Sequence, residues 1–175
     1  MKTTHLSELE KFCTLSTGRC QSFAEAAGVC LESQKHRSGV IVQVEGAFSE
    51  KISVSWEKID LKTRHSWQNL TESVEEAAYG LAIIVIWQLT PLKVLKQSFK
   101  KSGFDYWLGE KNNLNQPFKE KARLEVSGIL KGNNGQINQR LKEKLTQTEQ
   151  SNNLNFPVFV IIAEFSNPKV KIIKK

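Results

Sequence analysis

The spacing of apolar residues along this chain changes period several times, and each change marks an element. In the stretch SFAEAAGVCLE (residues 22–32), Phe23, Ala26, Ala27 and Cys30 recur at helical spacing. The whole of residues 1–37 reads as helical and rich in small side chains. The period then drops to two. Val40, Val42 and Val44 alternate in VIVQV, and Ile52, Val54 and Trp56 alternate in ISVSW, with Ser53 and Ser55 on the opposite face. The intervening Gly46-Ala47-Phe48-Ser49-Glu50 predicts an N-terminal β-hairpin.

From residue 71 the helical pattern returns. Ser73 and Glu76 have the spacing of a capping box, acidic residues crowd the first turn, and Pro91 stops the apolar stretch of residues 77–89. Residues 81–87 are apolar on every side, which predicts a broadly buried helix lying as a layer on a sheet. Short strands are expected next at residues 92–98, 104–108 and 123–130. After Gly132-Asn133-Asn134-Gly135, a polar helix at about 136–150 carries a narrow stripe of Ile137, Leu141 and Leu145. Residues 156–165 (FPVFVIIAEF) are almost continuously β-branched or aromatic, as a central strand would be. Residues 169–175 alternate Lys with Val and Ile and read as an edge strand or a basic tail. The order from residue 71 is thus α-β-β-β-α-β, a strand meander followed by a helix crossing over to a fourth strand. The expected class is α/β with a mixed sheet. Residues 1–70 add a helix and a hairpin to a core at 71–175, all within one globular unit.

Composition narrows the function classes. At 175 residues, with 39% hydrophobic and 25% charged residues, the chain has the make-up of an ordinary globular domain. Its longest apolar run, residues 81–87, falls far short of the ~20 residues needed to cross a bilayer. The first residues hold Lys2, Glu8 and Glu10 without an apolar signal segment, which points to a cytoplasmic protein and away from a membrane. Cys13, Cys20 and Cys30 are odd in number, lack a C-x-x-C pair and have no histidine pair nearby, so buried free thiols are expected over a disulfide framework or a zinc site. His5, His36 and His65 stand apart and read as surface residues. The net charge of +7 is uneven: residues 71–175 hold sixteen Lys and Arg against ten Asp and Glu. Such an excess suits a polyanion such as nucleic acid, although solvated surface lysines would also produce it.

Two acids carry the candidate chemistry. Asp105 lies in Gly103-Phe104-Asp105-Tyr106-Trp107-Leu108-Gly109, and Glu125 in Ala122-Arg123-Leu124-Glu125-Val126-Ser127-Gly128. If the second and third strands form a hairpin symmetric about Asn115, Asp105 stands opposite Glu125, with Cβ atoms roughly 5 Å apart. Facing carboxylates repel unless something compensates. A divalent cation does so naturally, since Mg²⁺ takes one or two protein carboxylates and fills its shell with water and phosphate oxygens. Alternation puts Ser127 on the Glu125 face and turns Val126 away.

This acid pair, set in an α-β-β-β-α-β order, resembles the PD-(D/E)XK or restriction endonuclease-like nuclease superfamily. The resemblance covers about residues 71–165 and leaves the first seventy outside it. It implies a Mg²⁺- or Mn²⁺-dependent phosphodiesterase acting on DNA or RNA, with Asp105 and Glu125 as the catalytic, metal-binding acids. Glu76, or Glu75, would be the further acid that some members add from the first helix. The family's lysine, two residues after the glutamate, is Ser127 here. That lysine migrates within the family, and Lys131, Lys142 and Lys96 are its candidate replacements. A nuclease that manages without the strand lysine is one outcome; a catalytically degenerate fold kept as a binding or assembly module is the alternative. An unrelated α+β protein carrying the pair by coincidence is a third. Tyr106 and Trp107 read as one packed and one partly exposed aromatic rather than as a base-stacking platform. Residues 1–70 are left to build a homodimer interface, extend the sheet or contact a protein partner.

Overall fold

Eight strands join in one mixed sheet, in the order β1-β3-β2-β8-β7-β6-β5-β4, with five helices around it. The computed structural model describes all of residues 1–175. Along the chain run β1 (Lys2–His5), a 3₁₀ turn (Leu6–Glu8), α1 (Leu9–Phe12), α2 (Thr17–Ser33), β2 (Val40–Gly46) and β3 (Glu50–Ser55). There follow α3 (Leu61–Ser66), α4 (Leu70–Leu89), β4 (Leu92–Gln97), β5 (Tyr106–Glu110) and β6 (Ala122–Ile129). The chain ends with α5 (Asn134–Thr148), a second 3₁₀ segment (Glu149–Leu154), β7 (Val158–Glu164) and β8 (Lys169–Lys174).

The expected α-β-β-β-α-β order is present as α4-β4-β5-β6-α5-β7. Strands β4, β5 and β6 form an antiparallel meander, and α5 carries the chain across to β7, which pairs in parallel with β6. Three expectations need correction. Residues 169–175 are neither an edge nor a tail: β8 lies inside the sheet, antiparallel to β7 and parallel to β2. Its alternation buries Val170 and Ile172, and the strand covering its outer side comes from the N-terminal hairpin, far away in sequence. Residues 1–70 therefore extend the same sheet, and the edges are β1 and β4. Residues 1–37 are not all helical, because Lys2–His5 pairs in parallel with β3. The Ser73–Glu76 capping box does not form either. Asn69 caps α4, accepting from the Thr71 N–H, while the buried Ser73 hydroxyl donates back to the Asn69 carbonyl at 2.9 Å.

The sheet separates two apolar layers. Along β7, Phe159, Ile161 and Ala163 face the side of α2 and α4, whereas Val158, Val160 and Ile162 face Ile137, Leu141 and Leu145 of α5. Helix α4 packs on β4 and β6 and is covered by α2, which explains its all-round apolar segment. Each fully enclosed Leu or Ile there contributes about 1.5–3 kcal/mol of transfer free energy. The three cysteines are free and buried. No helix is long and apolar enough to cross a membrane.

Candidate functional site

The site forms where β5 and β6 part. Their register, Tyr106↔Leu124, Trp107↔Arg123 and Leu108↔Ala122, is the one expected for a loop symmetric about Asn115. Asp105 stands one residue before β5 rather than inside it, yet its N–H still reaches the Leu124 carbonyl at 2.8 Å. There the preceding chain turns away to β4, and β6 runs on with one side unpaired. Two carboxylates take the amides left on that side. Val126 N–H donates to Asp105 Oδ2 at 2.8 Å, and Gly128 N–H to Glu75 Oε2 at 3.4 Å. Gly128 makes the second contact feasible, because a Cβ there would collide with the Val74 carbonyl and hold α4 off the strand.

Glu125 is 0% exposed and points to the α5 side of the sheet. Its Oε1 accepts from Lys144 Nζ at 2.7 Å and from Gln147 Nε2 at 3.0 Å. Its Oε2 is buried without a donor. The group it meets is the half-buried Asp105 carboxyl, and two carboxyls can bond only by sharing a proton. Burial first, and then the Asp105 charge, push Glu125 up to about 8, against the downward pull of Lys144. Burial also raises Asp105, against the Val126 N–H and the Lys144 ammonium. Tyr79 is raised by burial and by the same Asp105 charge.

Ser127 is buried beside this pair. Its hydroxyl donates to Glu75 Oε1 at 3.2 Å and accepts from Arg140 Nη1 at 2.9 Å. Thus α5 sends two cations, Arg140 and Lys144, one helical turn apart, to two neighbouring inward positions of β6.

The structure sorts the remaining candidates. Lys131 and Lys142 are exposed, and Lys96 pairs with Glu120 at 2.6 Å; the ammonium on Glu125 belongs to Lys144. Of the two α4 acids, Glu75 reaches β6, while Glu76 turns to Arg19 of α2 at 3.4 Å. Lys144 lies on α5 only two residues from the candidate Lys142, but on the face of the helix that meets the sheet, whereas Lys142 points to solvent. A signal did exist: Arg140 and Lys144 immediately precede Leu141 and Leu145 and so line one flank of the apolar stripe. Tyr106 is buried, and Trp107 is half-buried, edge-on to Phe104 and Phe156 at 4.8 and 5.3 Å between centroids. No histidine joins the site; the His36 ring bonds the Phe165 and Ser166 carbonyls.

No group of three or more His, Cys, Asp or Glu side chains is arranged to hold a metal ion. The smaller set of Asp105 and Glu125 does fit a hard cation that draws its remaining ligands from water and substrate. It offers two carboxyls and one buried oxygen that lacks a donor. On the Asp105 side an open cleft of about 690 Å³ is lined by Lys100, Lys101 and Gln147 among others. Set against known proteins, the chain matches no protein-family model, no curated protein and no solved structure.

Proposed function

We propose that this chain is a divergent PD-(D/E)XK nuclease that hydrolyses phosphodiester bonds in DNA or RNA with Mg²⁺ or Mn²⁺. The restriction endonuclease-like core would be residues 71–165, with the motif lysine supplied by Lys144 of α5 in place of Ser127. The observation that carries this reading is the 2.7 Å contact of Lys144 with Glu125, the acid that faces Asp105. An acid pair and a cation therefore meet where two strands of the expected meander part.

Asp105 and Glu125 would hold the metal, which when bound polarises the phosphate and lowers the pKa of a coordinated water. The chain's own groups do the rest. Lys144 offsets charge that develops on phosphate oxygens, a role for which a fixed ammonium in a dry site is well suited. Gln147 fixes the rotamer of Glu125 by donating to the oxygen that Lys144 also holds. Glu75 ties Ser127 and Gly128 and so keeps the open side of β6 from fraying. Glu125 must give up its proton to act as a ligand, so loading is favoured at alkaline pH.

One observation favours the other reading, a degenerate fold used as a binding or assembly module. Glu125 is wholly enclosed, and Lys144 already occupies one of its oxygens. The two readings separate in a cleavage assay with Mn²⁺ on labelled single-stranded DNA, duplex DNA and RNA. The nuclease reading expects cleavage by the wild type and none by Asp105→Asn or Lys144→Met. Intact substrates throughout, in protein that is folded, would favour the module.

A further inference from the structure

The connection from β4 to β5 exposes an aromatic side chain on a loop that is tightly fixed. The Ser98 hydroxyl donates to the Phe104 carbonyl, and the Ser102 hydroxyl lies within donating distance of both that carbonyl (2.9 Å) and Ser98 Oγ (2.8 Å), with one proton to give. The Ser102 N–H closes the turn on the Phe99 carbonyl at 3.1 Å. Lys101 and Gly103 have positive φ, +70° and +84°, which reverses the chain within a few residues. At Gly103 a Cβ would come within 2.7 Å of the Gln147 carbonyl, so the loop lies directly on the end of α5.

On this fixed loop Phe99 is 89% exposed, beside the exposed Lys100 and Lys101. The three line the cleft of about 690 Å³ whose wall includes Asp105, the only acid in the lining. A lone exposed apolar residue is unremarkable by itself. Here it is held by its neighbours' hydrogen bonds, flanked by two cations and set beside a carboxylate of the candidate site. Nucleobases offer flat faces to an aromatic ring, and the linking phosphates offer charge to lysines. In a duplex those faces are already stacked, so Phe99 can use only a base that is unpaired.

We propose that Phe99, Lys100 and Lys101 bind an unpaired nucleic-acid strand. Phe99 stacks on one base, the two lysines hold the adjacent phosphates, and the strand is led past Gln147 to Asp105. The delivery to Asp105 rests on the nuclease reading; the binding itself requires no hydrolysis.

The test is fluorescence anisotropy in EDTA, where no cleavage occurs, with labelled oligo-dT, oligo-U and a blunt hairpin duplex. The wild type binds both single strands more tightly than the duplex. Phe99→Ala weakens single-strand binding roughly tenfold or more, and Phe99→Trp restores it. Lys100→Ala/Lys101→Ala weakens it as well and reduces the slope of log affinity against log salt by about 1.4, two phosphates at ~0.7 each. All of these side chains are exposed, and an unchanged melting temperature verifies the fold of each variant. The proposal is overturned if the wild type binds no single strand, prefers the duplex, or is indifferent to Phe99→Ala. Failure of the two ideas is separable. Phe99-dependent binding without cleavage in Mn²⁺ keeps this inference and sinks the nuclease reading. Cleavage that ignores Phe99 does the reverse.

Discussion

Replacing Glu125 by Gln should stabilise the metal-free protein at alkaline pH and change little at acidic pH. Glu125 is fully enclosed, one of its oxygens lacks a donor, and the Asp105 carboxyl faces it. Its pKa is about 8 in the folded chain against an ordinary 4.5. Between those values the folded protein keeps a proton that the unfolded chain has lost. Stability therefore falls as pH rises through this window and is lowest above pH 8. At ~1.4 kcal/mol per pH unit, the wild type loses on the order of 4 kcal/mol between pH 5 and pH 9. Glutamine does not titrate. Its carbonyl can still accept from Lys144, and its amide can donate to Asp105, which gives the buried pair a bond that needs no shared proton. Urea unfolding in EDTA, followed by tryptophan fluorescence from pH 5 to 9, measures the difference. The two proteins should converge toward pH 5 and separate steadily from there to about pH 8, with Gln the more stable and the gap levelling off at higher pH. Parallel curves, or a less stable variant at pH 9, would refute the reasoning, because Glu125 would then be ionised throughout and stabilised by Lys144.

Three other outcomes are expected. Gly128→Ala forces a methyl into the Val74 carbonyl and should cost about 2–3 kcal/mol in denaturant unfolding, since α4 cannot approach β6 as before. Lys144→Met should abolish cleavage in Mn²⁺, and its stability deficit should be larger at pH 9 than at pH 6, because the carboxylate deprived of its cation can protonate only at the lower pH. Glu75→Gln should reduce turnover by disturbing the Ser127 and Gly128 contacts, whereas Glu76→Gln, which touches Arg19 instead, should leave turnover within about twofold.

The parts of the fold legible in the sequence are those set by local pattern. The Asp105–Glu125 pairing follows from one polar loop between two strands, and the central position of β7 follows from its continuous apolar run. Strand β8 was half legible: alternation told which residues are buried but not that β2 would lie alongside. Helix phase was a second difficulty. The apparent capping box at Ser73 pointed to Glu76, but α4 begins at Leu70, and it is Glu75 that looks toward β6. Lys144 was hidden for a third reason. It meets Glu125 only after α5 crosses the sheet, so no spacing within the strand could announce it. The site thus joins a locally encoded acid pair to partners brought in by topology.

Calorimetric titration of Mn²⁺ into the wild type and into Asp105→Ala/Glu125→Ala, at pH 6.5 and pH 8.5, tests the central claim most directly. The wild type should bind one ion, more tightly at pH 8.5 and with proton release, because Glu125 must surrender its proton. The double variant should bind none. Equal binding by both proteins, or none by the wild type at either pH, would contradict the assignment of Asp105 and Glu125 as the metal-holding pair.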